Sequence, residues 1–279
     1  MVFAWGMPLP WRYLRSYRIL KNIKLVLGYD GSDFAGFARQ PGERTVEGVL
    51  AEALHKLTGE RIKVTYASRT DCGVHAAGQT VNFKTSSKIP TGKFADVLDR
   101  LLPPDVFIRS AEEVPLNFNA RVSARGKLYS YMLICGRRAP AALRRFCWEI
   151  YKSPDLKIMK SAAKALVGRK DFSSFGSRDR RRPLVNPVRR IRSIRFCAGN
   201  LKKFFGDLSY GCGHKAIRID FRGDSFLYKM VRTLVGTLVD VGAGRIPKEK
   251  VRAILISKSR NSAGRTAPAK GLTLVKVEY

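Results

Sequence analysis

The feature that most constrains this chain is an order of apolar periodicities that runs through it twice. In the first half Ile23, Leu25 and Leu27 alternate as in a half-buried strand, and Tyr29-Asp30-Gly31-Ser32 turns the chain. Val46, Val49, Leu50, Ala53, Leu54 and Leu57 then recur at three- and four-residue steps, an amphipathic helix with Thr45 placed to accept from its first-turn amides. Strand-like runs over 62–66 and 79–84 come next, separated by a glycine-containing loop, followed by a short helix over 94–101 and a strand at 106–108. The second half repeats the order, with a strand at 128–134, a helix at 156–167 and strands at 191–196 and 216–221. A long helix runs from Phe226, with Met230, Val231, Leu234, Val235, Leu238 and Val239 on one face and Gly242 and Gly244 at its end. A helix at 248–256 and a strand at 272–277 close the chain.

Each half therefore reads β-α-β-β-α-β, the ferredoxin-like arrangement in which helices cover one face of an antiparallel sheet. The expected fold is α+β, two such units side by side with a cleft between them that can enclose a bulky substrate. The length of 279 residues allows two modest cores, divided as 23–118 and 119–279. Residues 1–22 read as a basic amino-terminal extension: Arg12, Arg15, Arg18 and Lys21 are spaced along it, and no acid precedes Asp30. Pro8 and Pro10 interrupt any long amphipathic helix of an organelle presequence, and the apolar core of a secretory signal is lacking. No run approaches the roughly 18 to 20 apolar residues needed to cross a bilayer, so the chain reads as soluble and cytoplasmic, with no membrane partner.

Charge narrows the partner. The chain carries 53 Lys and Arg against 22 Asp and Glu, a formal net charge of +31. Such an excess repels itself in a compact state and is relieved when phosphates cover the surface and release their counterions, so a nucleic acid is the expected partner. The arginines thicken at Arg178, Arg180, Arg181 and Arg182, then at Arg189, Arg190, Arg192 and Arg195. Arg178, Arg180, Arg181, Arg182, Arg189 and Arg190 read as grips on a phosphate backbone, which position it without reading sequence; a solvated loop is the plainer reading of such a run. The cysteines Cys72, Cys135, Cys147, Cys197 and Cys212 lack paired spacing. Cys72 with His75 and Cys212 with His214 are each half of a metal site without a second pair, so no metal is expected.

The stretch Ala67-Ser68-Arg69-Thr70-Asp71-Cys72-Gly73-Val74-His75-Ala76 falls in the loop between two strands of the first half. Strand-end loops often carry catalytic groups. On its own an Asp in such a loop more often caps its downstream amides. Cys72 is a better intrinsic nucleophile, but it needs a base and an electropositive pocket, and His75 three residues along a loop fixes neither.

This stretch resembles the catalytic motif of the tRNA pseudouridine synthase A (TruA) family: a small residue, Arg-Thr-Asp, any residue, then Gly-Val-His-Ala. Further segments match in the same order. Tyr29-Asp30-Gly31, Gly36-Phe37-Ala38-Arg39-Gln40-Pro41 and Thr45-Val46-Glu47-Gly48 resemble the family's opening, with Phe37 where many members have Trp. Phe118-Asn119-Ala120-Arg121 and Lys127-Leu128-Tyr129-Ser130-Tyr131 resemble its centre, with Asn119 in place of a common His and Lys127 in place of a common Arg. Asp171-Phe172-Ser173-Ser174-Phe175 and Asn186-Pro187-Val188-Arg189-Arg190-Ile191 are similar to later segments. Phe226-Leu227 through Met230-Val231-Arg232, Val235-Gly236, Val241-Gly242 and Thr266 to Leu272 match the terminal ones. The likeness covers residues 23 to 279.

The resemblance implies the pseudouridine synthase fold and the isomerisation of uridine in tRNA without a cofactor, with Asp71 as the nucleophile. Desolvation beside a base disfavours a carboxylate anion, so a neighbouring arginine is needed, and Arg232 of the Met-Val-Arg segment is the expected partner; a surface arginine is its plainer role. Tyr129 matches the family's active-site tyrosine, expected to stack on the uracil and handle protons at C5, where the alternative is a packed strand aromatic. Arg69 is expected to fill the gap left by the flipped nucleotide or to grip its phosphate, against an exposed ion pair. The likeness also implies a homodimer and the anticodon stem-loop as target. Two rivals stand beside it: a non-catalytic RNA-binding protein of ferredoxin-like modules, and a metal-dependent nuclease, for which no cluster of carboxylates is apparent.

Overall fold

The computed structural model describes residues 20–136, 138–177, 186–209 and 213–279. The first half builds β1 (Lys21–Tyr29), α1 (Val46–Thr58), β2 (Thr65–Tyr66), β3 (His75–Thr85), α2 (Lys93–Leu101) and β4 (Val106–Val114). The second builds β5 (Gly126–Cys135), β6 (Trp148–Ile150), α3 (Leu156–Ala163), β7 (Gly168–Asp171), β8 (Val188–Asn200), α4 (Leu201–Phe205), β9 (Lys215–Gly223), α5 (Met230–Gly242), α6 (Lys250–Ser257) and β10 (Leu272–Glu278). Thr45 caps α1 as its side chain accepts from Gly48 N–H, and Val46, Leu50, Ala53 and Leu54 are the stripe that α1 buries.

All the strands join one sheet in the order β4-β1-β3-β10-β5-β9-β8-β7, with β2 on β3 and β6 on β5 beside that path. Within it each half keeps the ferredoxin-like neighbour order: β4-β1-β3-β2 in the first and β10-β5-β9-β8 in the second. The two units expected side by side, each with its own antiparallel sheet, are therefore fused through their edges. The joint is parallel, Thr273 of β10 against His75 and Leu274 against Ala76 of β3. It forms because β2 is short. Thr65 and Tyr66 pair only with Asn82 and Val81, which leaves the beginning of β3 without a neighbour until β10 supplies one.

Several element bounds differ from the periodicity. The run over 62–66 pairs only at its last two residues; Val64 and Ile62 pack on the core without joining a ladder. The helix expected over 156–167 yields after Ala163 to a 3-10 turn over Lys164–Leu166. The long helix expected from Phe226 starts at Met230, because Lys229 takes the left-handed conformation (φ 59°), which does not propagate an α-helix. The phenylalanine four residues earlier is freed to face the sheet instead.

Nearly all of α5 is buried, and it meets the segment that leads into β10. Gly236 permits this: a Cβ there would lie 1.8 Å from the Arg265 carbonyl oxygen, so the segment ahead of β10 rests against bare helix backbone. Ala267 N–H donates to the Arg232 carbonyl (3.1 Å) one turn earlier. Because a backbone carbonyl cannot rotate aside, Gly236→Ala is expected to cost about 1–3 kcal/mol by overpacking, read as a fall of several degrees in thermal midpoint. An unchanged midpoint would contradict this account of the α5 contact.

Candidate active site

The loop from Ala67 to Val74 joins β2 to β3, so it emerges where β3 passes from one edge partner to the other. It is fastened along its length. Gln79, fully buried, clamps Ser68 in both directions: its side-chain amide donates to Ser68 O (2.6 Å) and its carbonyl accepts from Ser68 N–H (3.3 Å). Tyr29 and Thr70 share a buried hydroxyl bond of 2.7 Å, and Thr70 O accepts from Phe37 N–H at 3.1 Å. Val74 N–H closes a turn on the Asp71 carbonyl (3.1 Å), with Gly73 supplying the positive φ of 74° that the turn requires.

Buried His75 ties the end of this loop to the rest of the molecule. Its Nδ1 accepts from Gly31 N–H (3.0 Å), which fixes the proton on Nε2, placed to donate to Arg145 O (2.8 Å) and Lys270 O (3.1 Å). Asp30 lies 3.1 Å from Nδ1, but that nitrogen is already an acceptor, so the two are not an ion pair. Desolvation, opposed by Asp30, holds the imidazole below its ordinary range, in agreement with a neutral ring. One side chain of the first half thus joins two backbone carbonyls of the second.

Asp71 itself does not cap the loop. Its Oδ2 accepts from Arg232 Nη1 at 2.8 Å, with each side chain 15% exposed. Arg232 also donates from Nε to the Ala267 carbonyl (2.8 Å), so the guanidinium is fixed by the segment against α5 while it presents a nitrogen to Asp71. Among the described residues nothing bonds to Asp71 Oδ1. The pair leaves one carboxylate oxygen held and the other available to a reacting atom.

Tyr129 on β5 meets the same loop. Its hydroxyl lies 2.8 Å from Ser68 Oγ, its ring packs edge-on against Phe226 (5.3 Å, 86°), and burial, with the Asp71 charge adding to it, pushes the phenol up to about 12. It is a neutral hydroxyl at ordinary pH and also a packed strand aromatic, 6% exposed. Lys127, two residues before Tyr129 on the same face of β5, donates from Nζ to Ala67 O (2.8 Å). Consecutive residues of the loop are thus held by two side chains of one strand.

The structure brings Asp71, Arg232 and Tyr129 together around one loop. Arg69 is exposed on its outer side, where Nε donates to the Tyr66 hydroxyl (3.1 Å) rather than to a carboxylate. Arg190 is exposed, whereas Arg189 is half-buried, with Nη1 donating to Asn186 O (2.6 Å) and Val188 O (2.7 Å). Arg178, Arg180, Arg181 and Arg182 lie outside the described residues. Cys72 is exposed. Ser68, Gln79, His75 and Lys127 escaped a role in the sequence reading. Only the polar residues recurring at the buried start of β3 signal two of them, and the partners are up to 195 residues away. Among the described residues no helix is long and apolar enough to cross a membrane.

Comparison with known proteins matches this chain to a family. A family model described as tRNA pseudouridine synthase matches residues 26–122 and 162–279, which include Asp71, Arg232 and the β3–β10 seam. The chain is 38% identical over 260 residues to the tRNA pseudouridine synthase A of Acetivibrio thermocellus, spanning 93% of this chain and 100% of that one. It is 39% identical over 260 residues to that of Caldicellulosiruptor bescii and 40% over 263 to that of Clostridium kluyveri, with the same coverage. A match of this depth across both halves and the seam between them places the chain in the tRNA pseudouridine synthase A family, to which it belongs.

Proposed function

We propose that this chain converts uridine in tRNA to pseudouridine with Asp71 as the nucleophile. The observation that carries the proposal is the divided state of the Asp71 carboxylate, one oxygen on Arg232 and the other without a protein partner. Uridine must leave its base stack to reach such a group, at a cost of a few kcal/mol that contacts with the enzyme offset. The N1–C1′ bond then breaks, the retained uracil turns, a C5–C1′ bond forms, and the C5 proton is exchanged for one on N1. Atoms and electrons balance without an oxidant or a second substrate. Asp71 supplies the electron pair that holds the ring or the sugar between the two bonds. Arg232 keeps that pair anionic when the base excludes water. Tyr129, neutral and bonded to Ser68, is assigned to stack on the uracil and to pass a proton at C5.

Arg69, exposed beside the nucleophile, is assigned to the gap or the phosphate of the flipped nucleotide, and Arg178, Arg180, Arg181, Arg182, Arg189 and Arg190 to the RNA backbone. The assignment extends to the anticodon stem-loop as target, a homodimer that shares one tRNA, and action in the cytoplasm. The division of the halves at 118/119 belongs to the same proposal.

Mapping pseudouridine by mass spectrometry in transcripts treated with wild-type protein and Asp71→Asn tests the nucleophile. The amide is expected to lower the rate by at least about a thousandfold while tRNA affinity stays within a few-fold. Pseudouridine formed at the wild-type rate by Asp71→Asn sinks the proposal and leaves an RNA-binding module. Arg232→Met leaves Asp71 desolvated and unpaired, which costs about 3–5 kcal/mol. Its kcat is expected to fall by two or more orders of magnitude; near-wild-type turnover contradicts the pairing argument. Affinity for tRNA is expected to fall steeply with salt, by about 0.7–0.9 in log–log slope for each phosphate neutralised. Binding that is flat between low and physiological salt removes the backbone role of the arginines.

A further inference from the structure

Beside the loop that carries Asp71 lies a group of cations with no counter-charge among the described residues. Lys127 uses one of its three donors on Ala67 O, and among the described residues the other two have no partner. Its charged neighbours are Arg121 and Arg189, both of its own sign. Among the described residues the Arg189 side chain donates only to the backbone carbonyls of Asn186 and Val188, and its buried Nε has no partner. Among the described residues neither Lys127, Arg121 nor Arg189 forms an ion pair, although the same end of the sheet holds acids. Those are engaged elsewhere: Asp224 by Arg192, and Glu278 by Arg222 and Arg192.

The sheet register explains why the cations meet. Lys127 pairs with Gly223 of β9, and Gly223 with Ile191 of β8, so Arg189 lies two residues along from that row. Gly223 contributes no side chain of its own to that row, and the Phe226 ring packs over it. Like charges gathered in a partly desolvated place raise the energy of the free protein, and an anion seated among them removes that cost. The Arg189 Nη2, which has no partner among the described residues, and two free ammonium donors match the oxygens of a phosphodiester.

We propose that Lys127, Arg121 and Arg189 form a seat for one backbone phosphate of the RNA, next to the nucleotide delivered to Asp71. The identity of the ligand rests on the synthase reading; the seat itself rests on the unbalanced charge. Because Lys127 fastens Ala67 while it grips the phosphate, the seat couples RNA docking to the loop that carries the nucleophile. Burial, with Arg121 and Arg189 adding to it, lowers Lys127 to about 8, so the free protein loses this charge as pH rises through that value. Phosphate binding favours the charged form, and affinity must therefore fall over the same interval. Of the groups beside Lys127, burial lowers Arg189 but does not discharge a guanidinium over this interval, and Tyr129 remains neutral up to about 12.

The test is tRNA binding by wild type, Lys127→Met and Lys127→Arg over a range of KCl concentrations and from pH 7 to 9.5, with pseudouridine measured in the same samples. Lys127→Met is expected to weaken binding by roughly tenfold at low salt and to reduce the salt slope by about one phosphate. Lys127→Arg is expected to keep both and to abolish the loss of affinity above pH 8 that the wild type shows. A wild-type affinity and salt slope in Lys127→Met overturns the seat, as does an identical pH dependence in wild type and Lys127→Arg. If Lys127→Met fails to fold, the comparison of wild type with Lys127→Arg decides alone. Wild-type protein that shows the predicted Lys127 behaviour but makes no pseudouridine sinks the synthase reading and leaves the seat; normal conversion with an unchanged slope sinks the seat alone.

Discussion

The bond from Arg232 to Asp71 spans 161 residues and joins a helix of the second half to a loop of the first. It can form only if three other things are already true. The sheet must be continuous, so that β10 meets β3 where the loop ends; Gly236 must let the Arg265–Ala267 segment settle on α5; and Gln79, Tyr29 and His75 must hold the loop. A carboxylate and a guanidinium brought together with little solvent are stable only with good geometry and further hydrogen bonds, because desolvation otherwise offsets their attraction. Arg232 meets that condition through its second bond to Ala267 O.

The seam also explains why chemistry sits where it does. In an isolated ferredoxin-like unit the second strand covers the edge of the third along its length. Here β2 stops after Tyr66, and β10 takes over at His75, in the opposite direction relative to β3. The chain between these points has no ladder of its own, so its backbone groups are satisfied by scattered backbone partners and by the side chains of Gln79 and Lys127. A loop tied by Gln79, Tyr29 and the Lys127 ammonium holds its side chains in place, which is what the nucleophile proposed for Asp71 needs if its orientation is not to be lost to entropy.

What the sequence disclosed follows the range of the forces involved. The cap at Thr45 and the stripes of α1 and α5 are local, and local periodicity located them. The doubled ferredoxin-like order was legible because each half repeats the same succession of periods. The fusion of the halves was not, since nothing in the apolar alternation of 62–66 says that its ladder is only two residues long, and edge pairing is decided by what else competes for the edge. The start of α5 was misplaced for a similar reason: Phe226 continues the helical spacing, while the left-handed turn at Lys229 is invisible to it. At the site, Asp71, Arg232 and Tyr129 emerged from motif resemblance. Ser68, His75 and Lys127 stayed hidden because their bonds run to distant backbone and hydroxyl groups.

The choice between the two adjacent nucleophiles in this loop turns on direction rather than intrinsic reactivity. A thiolate is the stronger nucleophile, and Cys72 follows Asp71 directly. Yet the turn closed by Val74 N–H on Asp71 O sends successive side chains to different sides: Asp71 goes inward to Arg232, and Cys72 outward to solvent. Activation of the thiol requires a base, and the nearest imidazole in sequence is already committed, with Nδ1 occupied by Gly31 and Nε2 facing two carbonyls. The same bonds that make His75 a clasp between the halves therefore remove it as a general base. What remains is a carboxylate that needs no proton acceptor to be nucleophilic, in a setting where a guanidinium holds the anion and a neutral phenol lies close by.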